Sequence, residues 1–468
     1  MKVVKVKLFN TYSRRKETFT PLREGEVRMY TCGPTVYDYV HIGNFRTFVF
    51  EDLLRRSLKF LGFKVVQVMN LTDVEDKIIK ASRERGISIS EYTSQYIKAF
   101  FEDLRALNME PAEYYPKATE YIPQMIELVR ILLEKGYAYE LGDSVYFDIS
   151  KFPQYGRLSR IKGSGRAFSR LDADEYEKEE IGDFVLWKGK KEGEPFWESP
   201  FGPGRPGWHI ECSAMSMHYL GPTFDIHTGG VDNMFPHHEN EIAQSEAATG
   251  QTFVRYWMHS QHLQVNGERM AKSKGNYYTL RDLQSMGYSP KAIRFLLLST
   301  HYRNPLNFTF DSLKQAGKSV DRLLDFYHRL KEHAGIKGEE SAEIVAILDR
   351  RKEEFALSLA DDLNVSGAIS ATFSLMHDLN PLILDNKLNR QDAELAVKTM
   401  EEFDQVLGIL EEKEPLEEWI VRLIKEREKV RKNKDFARAD QIRAELLKKG
   451  IILEDTPEGT RWRKKLAQ

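Results

Sequence analysis

Between Glu26 and Asn70 the apolar positions change period twice. Glu26 to Cys32 (EVRMYTC) alternates and is rich in strand formers, which predicts a buried strand. A polar loop carrying Pro34 follows. From Gly43-Asn44 onward, Phe45, Phe48, Val49, Leu53, Leu54 and Leu58 recur every three to four positions, predicting a helix that Gly62 ends. Lys64 to Asn70 (KVVQVMN) predicts a second strand. In doubly wound folds ligands bind outside the carboxyl ends of parallel strands, so the loop between the first strand and its helix is the place to look for chemistry. Helical period returns from about Ile122 to Lys135, and Ser144 to Phe147 reads as a strand. Ile161 to Pro206, dense in Gly, Pro and charge, reads as an irregular insertion or lid, with Trp187 and Trp197 pinning it to the core.

Beyond about Asn304 the texture changes to long amphipathic helices, for example Val365 to Leu379, running to Gly408. Glu411 to Glu418 (EEKEPLEE) is a charged linker, followed by two basic helices and an end piece, Ile451 to Trp462, of hairpin character. The pattern predicts an α/β fold in three parts. A Rossmann-type doubly wound parallel-sheet domain covers 1–303, with an insertion at about 115–206. An α-helical bundle covers 304–410, and a linker with a small mixed α/β C-terminal domain covers 411–468. The length of 468 residues accords with roughly three domains.

Composition narrows the classes. No apolar run approaches the ~18 residues of a membrane span, and Met1-Lys2-Val3-Val4-Lys5 carries no export signal, so no membrane partner is expected. Cys32 and Cys212 are the two cysteines, too few to staple such a chain, which points to a reducing cytoplasm. The net charge of −2 hides an asymmetry. From Val421 to Gln468 there are 15 Lys/Arg against 8 Asp/Glu, and 54 against 63 before it. A basic tail on an acidic body suits a polyanionic partner, although solvated amphipathic helices also carry such charge.

Seven of the twelve histidines fall between His209 and His262. A helix starting at Pro236 and stopped by Gly250 places His237 and Glu241 on one face, able to reach one ion; His238 at the same spacing meets Ile242, which cannot be a ligand. With both cysteines the candidate set is Cys32, Cys212, His237 and Glu241, a soft mixed set that selects zinc over magnesium or calcium. Two inert core cysteines would give the same spacing, and sequence separation alone does not bring Cys32 to Cys212. The second constellation is for phosphate. His41-Ile42-Gly43-Asn44 stands at a helix start, where free N–H groups and the helix dipole favour an anion. Arg269, Lys272 and Lys274 place three cations in six residues of a Gly-bounded loop, suited to a pyrophosphate leaving group or equally to a solvated basic turn.

These residues together resemble class I cysteinyl-tRNA synthetases. The likeness covers Cys32 to Asn44 (CGPTVYDYVHIGN), Gly204 to Met215 (GRPGWHIECSAM), Phe224 to Gln244 (FDIHTGGVDNMFPHHENEIAQ), the KMSKS-like loop at Arg269 and the tail DFARADQIRAELLKKGIILEDTPEGTRW, in the family's order. The resemblance implies a cysteine–tRNA ligase using one Zn²⁺ per chain, held by Cys32, Cys212, His237 and Glu241, with Mg²⁺ entering on ATP. It implies ATP contacts from His41, Gly43, Asn44, Arg269 and Lys272, with His41, Asn44 and Lys272 stabilising phosphate charge. Thr72 and Trp208 match the cysteine pocket, and Asp232 is a candidate for the substrate ammonium. Arg438, Asp440, Asp455 and Trp462 are candidates for tRNA contact in an anticodon-reading tail. The implied partners are L-cysteine, ATP and tRNA(Cys), acting on a monomer in the cytoplasm. Three positions depart from the family pattern: Asn44 for the second histidine of its HIGH motif, and Arg269 and Ala271 for Lys and Ser. Arg269 keeps the charge but presents a planar fork instead of a point. A ligase passing cysteine to a small amine, a zinc-bearing RNA-binding protein, and a zinc hydrolase with Glu239 as base are the competing readings.

Overall fold

The computed structural model describes residues 4–161, 169–171, 182–333, 338–385, 387–410, 418–456 and 459–464. The chain divides into two compact units, one built mainly from residues 1–280 with 300–308 and 356–367, the other from 281–299, 309–355 and 368–468.

The first unit opens with an antiparallel pair, β1 (Lys7–Asn10) and β2 (Arg15–Thr18). Then come β3 (Glu26–Thr31), α1 (Ile42–Phe60) and β4 (Lys64–Met69), the strand–helix–strand unit of the sequence pattern. After α2 (Asp76–Arg85), α3 (Ile89–Ala106) and α4 (Ile122–Glu134) the chain forms β5 (Ala138–Leu141), β6 (Ser144–Phe147), β7 (Ser169–Leu171), β8 (Gly182–Gly189) and β9 (Gly204–Pro206). It returns through α5 (Trp208–Leu220), β10 (Phe224–Gly230), α6 (His237–Thr249) and β11 (Val254–Ser260). The small strands β12 (Leu263–Val265), β13 (Glu268–Arg269) and β14 (Leu306–Phe308) pair beside it.

The central sheet has the order β11-β10-β3-β4, with every pairing parallel. Parallel sheets need cover on both faces; the first six residues of β10 are all buried, the polar Asp225, His227 and Thr228 among them. The order reverses between β3 and β10: β3 reaches β4 through α1 on one side and pairs with β10 on the other. A crevice therefore opens at their carboxyl ends, the switch point where ligands bind. Cys32 leaves β3 at that point, its N–H donating to the Thr228 carbonyl of β10 at 3.2 Å.

Helix α1 lies inside the unit, with 14 of its 19 residues buried. Besides Phe45, Phe48 and Phe50, worth ~1.5–3 kcal/mol each on burial, it buries charge only where partners exist. Arg56 pairs with Asp52 at 2.9 Å, and Arg55 forks onto Glu113 at 2.7 and 2.9 Å. Arg46 donates to the carbonyls of Thr300 and His301, each at 2.9 Å.

The stretch read as irregular, Ile161 to Pro206, is not wholly so. Strand β8 pairs with β6, β7 and β9 in a second sheet, and Trp187 within it is fully buried. Phe184 stacks on Phe147 with ring centroids 5.0 Å apart. Residues 162–168 and 172–181 lie outside the described residues.

A short helix, α7 (Leu280–Ser285), leads out of this region. The second unit is built around α8 (Pro290–Leu298), α9 (Phe310–Glu332), α10 (Ala342–Ala360), α11 (Val365–Leu384) and α12 (Arg390–Leu407). Arg294 of α8 is fully buried and its Nε donates to the Leu407 carbonyl at 2.6 Å, satisfying the end of α12. The tail has α13 (Glu418–Lys432), α14 (Phe436–Lys448) and the hairpin β15 (Ile451–Thr456) with β16 (Gly459–Lys464). They enclose a separate core of Ile420, Ile424, Ile442, Leu446, Ile451 and Leu453. Among the described residues no helix is long and apolar enough to cross a membrane.

Candidate active site and metal centre

The loop after β3, the start of α5 and the start of α6 bring Cys32, Cys212, His237 and Glu241 together. Their donor atoms lie within 4.8 Å of one another, and all four residues are buried. Helix α6 runs from Pro236 to its left-handed end at Gly250, as the spacing predicts, so His237 and Glu241 share a face with Nε2 and Oε1 3.1 Å apart. Glu241 Oε1 thus faces His237, while its other oxygen lies 2.9 Å from His227 Nε2.

The electrostatics follow from crowding these groups in a buried site. Burial pushes the Cys32 thiol well up, and Cys212 beside it adds to this. Burial would also raise Cys212, but the hydrogen bond with Cys32 and the His237 charge outweigh it and bring that thiol down to about 6. Burial disfavours the charged form of His237; Cys212 and Glu241 outweigh it and hold the imidazole near 10. For Glu241 burial opposes ionisation, and His227 and His237 overcome it, leaving a carboxylate near 2. One thiolate, one thiol, one imidazolium and one carboxylate therefore share a buried site. A cation that displaced the two protons would find two thiolates, a neutral imidazole and a carboxylate, so the donor set fits a metal ion. His237 Nδ1 lies 3.0 Å from Nδ1 of His209, whose burial keeps it neutral. With Nδ1–H donated there, His237 presents Nε2 as a ligand, the usual outer-shell arrangement of a metal-binding histidine.

Pairing residues along α6 alone misjudged His238. Its Nε2 sits 3.2 Å from Cys32 Sγ, and its Nδ1 lies 2.8 Å from His259 Nε2. His259 Nδ1 in turn lies 2.9 Å from Thr11 Oγ1. A chain of hydrogen-bonding groups from Thr11 through His259 and His238 ends on the Cys32 sulfur. Cys32, His227, His238 and Glu241 form a second group with metal-ligand spacing. The density of histidines between His209 and His262 was the signal that more than one of them serves the site. Gly229 must be glycine here, since a Cβ would stand 2.7 Å from the His238 ring. Glu239, offered as a hydrolytic base, instead accepts from Gly156 N, Ser159 N and Ser159 Oγ, each at 2.8 Å.

Cys32 also lines a cavity of about 460 Å³. Trp208 and Asp232 line it too; the Trp208 ring lies 4.2 Å from that of His237, and Asp232 Oδ2 is 3.1 Å from His262 Nδ1. Thr72 does not reach the lining: it is buried, and its hydroxyl donates to Glu211 Oε2 at 3.0 Å.

His41, Gly43, Asn44 and Arg269 line the same cavity. His41 caps α1, its Nδ1 accepting from Asn44 N at 3.2 Å, which leaves Nε2–H as the donor of a neutral ring. Burial, with the Lys272 charge behind it, lowers His41 to about 4. At Gly43 a Cβ would lie 2.9 Å from the His41 ring and 3.0 Å from Met270 Cε, so any side chain would obstruct the helix start. Lys272 pairs with Asp38 and stands 5.0 Å over the Tyr277 ring.

In the tail, Arg438 donates to Glu426 Oε1 from Nε and Nη2 at 3.0 and 2.8 Å, and Asp440 is exposed. Asp455 is engaged by the buried Arg427 at 2.7 and 2.9 Å and by Arg431. Trp462 packs against the tail core, opposite Leu453 in the hairpin register.

A parallel sheet with a capped helix start and a cationic loop over one cavity is the architecture of a class I aminoacyl-tRNA synthetase. Two solved structures share it at the level of fold. Mycobacterium tuberculosis methionyl-tRNA synthetase bound by methionyl-adenylate superposes with a TM-score of 0.61 at 14% identity, over 82% of this chain and 90% of that one. The ternary complex of Agrobacterium radiobacter LeuRS gives 0.58 at 12%, over 83% and 85%. The model of the class I (C) tRNA synthetase catalytic domain matches residues 18–318, a DALR domain matches 354–411, and the cysteinyl-tRNA ligase anticodon binding domain matches 415–463. The cysteine–tRNA ligase of Protochlamydia amoebophila is 47% identical over 99% of both chains. That of Leptospira interrogans serovar copenhageni is 48% identical over 99% of this chain and all of its own length. The chain belongs to the cysteine–tRNA ligase family.

Proposed function

We propose that this chain ligates L-cysteine to tRNA(Cys) in two steps, ATP first activating the cysteine carboxylate as cysteinyl-adenylate. The observation that carries the reading is one cavity with Cys32 of a buried Cys–Cys–His–Glu cluster in its wall and the His41–Asn44 turn and Arg269 also lining it. Two sulfurs and an imidazole favour zinc, which when bound supplies a soft Lewis acid for the substrate sulfur. Serine, with a harder and less acidic hydroxyl, lacks the partner the site demands, and such sites discriminate by ~10⁴-fold or more without editing.

Asp232, exposed in the cavity wall, offers a carboxylate to the α-ammonium, and Trp208 walls the side chain in against His237. Mg²⁺ enters with ATP. His41 donates Nε2–H to the triphosphate, the free N–H groups of the α1 start face it, and Asn44, Arg269 and Lys272 add donors where charge grows on the departing pyrophosphate. No side chain becomes covalently attached; the protein holds the reactants in place. The terminal ribose hydroxyl of the tRNA then attacks the adenylate carbonyl. The basic tail reads the anticodon through Arg438, Asp440, Asp455 and Trp462, the last by stacking. We place the enzyme as a monomer in the cytoplasm, where its two thiols stay reduced.

Charging of a tRNA(Cys) transcript tests this directly. The full chain with ATP and labelled cysteine is expected to give acid-precipitable cysteinyl-tRNA and one AMP per cysteine transferred. ATP cleavage that needs cysteine but never labels tRNA would refute the acceptor and favour a small amine in its place.

A further inference from the structure

The cationic loop is tied to the turn into α1 through one carboxylate. Lys272 forms an ion pair with Asp38, on the loop that leads into α1. The other Asp38 oxygen accepts from Tyr39 N at 2.8 Å, so the carboxylate is fixed in place. Lys272 also lies over the Tyr277 ring, and that ring meets His41 edge-on at 5.1 Å. The loop is braced internally by Asn276, which accepts from Ala271 N at 2.8 Å and donates to the Arg269 carbonyl at 3.2 Å. Lys274 is paired with Glu268 at 2.8 Å. Of the three loop cations, Arg269 is the one that no carboxylate among the described residues engages.

We propose that Asp38 is a positioning residue of the ATP-activation step: it holds Lys272 against the turn into α1 and yields it to the triphosphate when ATP binds. A carboxylate oxygen and a phosphate oxygen offer a lysine ammonium the same charge-assisted bond, so one can stand in for the other. The hydrogen bond to Asp38 raises Lys272, consistent with an ammonium held ready. The pair ties the loop to the turn into α1 until ATP competes for Lys272, and it recaptures Lys272 after pyrophosphate leaves. It also carries a cost, because ATP must compete with Asp38 for Lys272. The side chains are 60% and 30% exposed. A pair so solvated is weak, and its loss tightens nucleotide binding by about two- to fivefold. The inference rests on Lys272 contacting the phosphates, as assigned above.

The test is a double-mutant cycle on the full chain, measuring the Kd of α,β-methylene ATP with magnesium by titration calorimetry. Asp38→Asn is expected to bind about two- to fivefold tighter than the parent. With Lys272→Ala already present, the same substitution should gain less, since only the repulsion between Asp38 and the phosphates is then removed. Weaker binding by Asp38→Asn, or an equal gain with and without Lys272, overturns the proposal. Trypsin supplies a second readout in the absence of nucleotide. Asp38→Asn should speed cleavage after Lys272, Asp38→Glu should restore the parent's rate, and the ATP analogue should protect both; unchanged cleavage in Asp38→Asn contradicts the latch. Both measurements omit cysteine and tRNA, so a failure of cysteine ligation would leave them interpretable.

Discussion

Titrating Zn²⁺ into the metal-free chain at a series of pH values should count the protons that the site holds in reserve. Before metal arrives, burial keeps Cys32 protonated far above its ordinary range, and Cys212 with Glu241 keeps His237 protonated to about 10. Cys212 at about 6 and Glu241 at about 2 are already ionised at neutral pH. Zinc needs all four groups deprotonated, so it displaces one proton from Cys32 and one from His237, about two in total. That count should hold from pH 7 to 9, with the logarithm of the apparent affinity rising about two per pH unit. Below about pH 6 a third proton, from Cys212, joins it. A site with ordinary cysteine and histidine values behaves differently: by pH 9 its thiols are mostly ionised and release falls to about 0.5. Calorimetry in buffers of differing ionisation enthalpy gives the number directly. Release below one proton at pH 9 would refute the claim that crowding in a buried site, rather than intrinsic acidity, sets the charge state.

Other substitutions separate the parts of the molecule. Lys272→Ala should lower the rate of ATP–pyrophosphate exchange by ~10²–10³, as loss of a donor to developing charge does, with zinc content unchanged by metal analysis. Asp455→Ala strands the Arg427 guanidinium, whose side chain is 2% exposed against 34% for Asp455. Breaking a buried pair costs ~3–5 kcal/mol, and the exposure of Asp455 reduces this to ~1–3. Hydrogen exchange across residues 418–464 should accelerate while pyrophosphate exchange stays at the parent's rate. The same pair holds the Asp455 carboxyl down to about 2, so its contribution to stability is complete above pH ~4 and drains away as pH falls towards 2. Glu239→Gln turns one of the two accepting oxygens into an N–H donor, so at least one of the three hydrogen bonds is lost and a donor is set against a donor. It should lower the melting temperature and leave one zinc per chain, whereas a hydrolytic base would show no such pattern.

Much of the site could be read from residue spacing because its parts are local. The alternation before Cys32, the capped start of α1 and the Pro236-to-Gly250 frame of α6 each lie within one element, so period and punctuation suffice. The four candidate ligands fell out of the same logic, and the fold supplies what spacing lacked, the approach of Cys32 to Cys212 at the β3–β10 switch point. Strand β8 was hidden because GDFVLWKG is a short apolar run inside a stretch thick with Gly, Pro and charge. His238 was misread because only same-helix partners were weighed, whereas its ring meets Cys32 and His259 from other elements. Thr72 matches a pocket position, yet its hydroxyl is committed to Glu211. Asp38 and Lys272 stand 234 residues apart, and no periodicity connects them.

The most direct test of the central claim is cysteine-dependent ATP–pyrophosphate exchange, run beside serine and repeated after zinc is stripped with a chelator and restored. Exchange with cysteine, at least ~10⁴-fold weaker with serine, lost with the metal and recovered on its return, is the predicted result. Exchange that survives complete removal of zinc, or that accepts serine equally well, would contradict metal-based recognition of the cysteine sulfur.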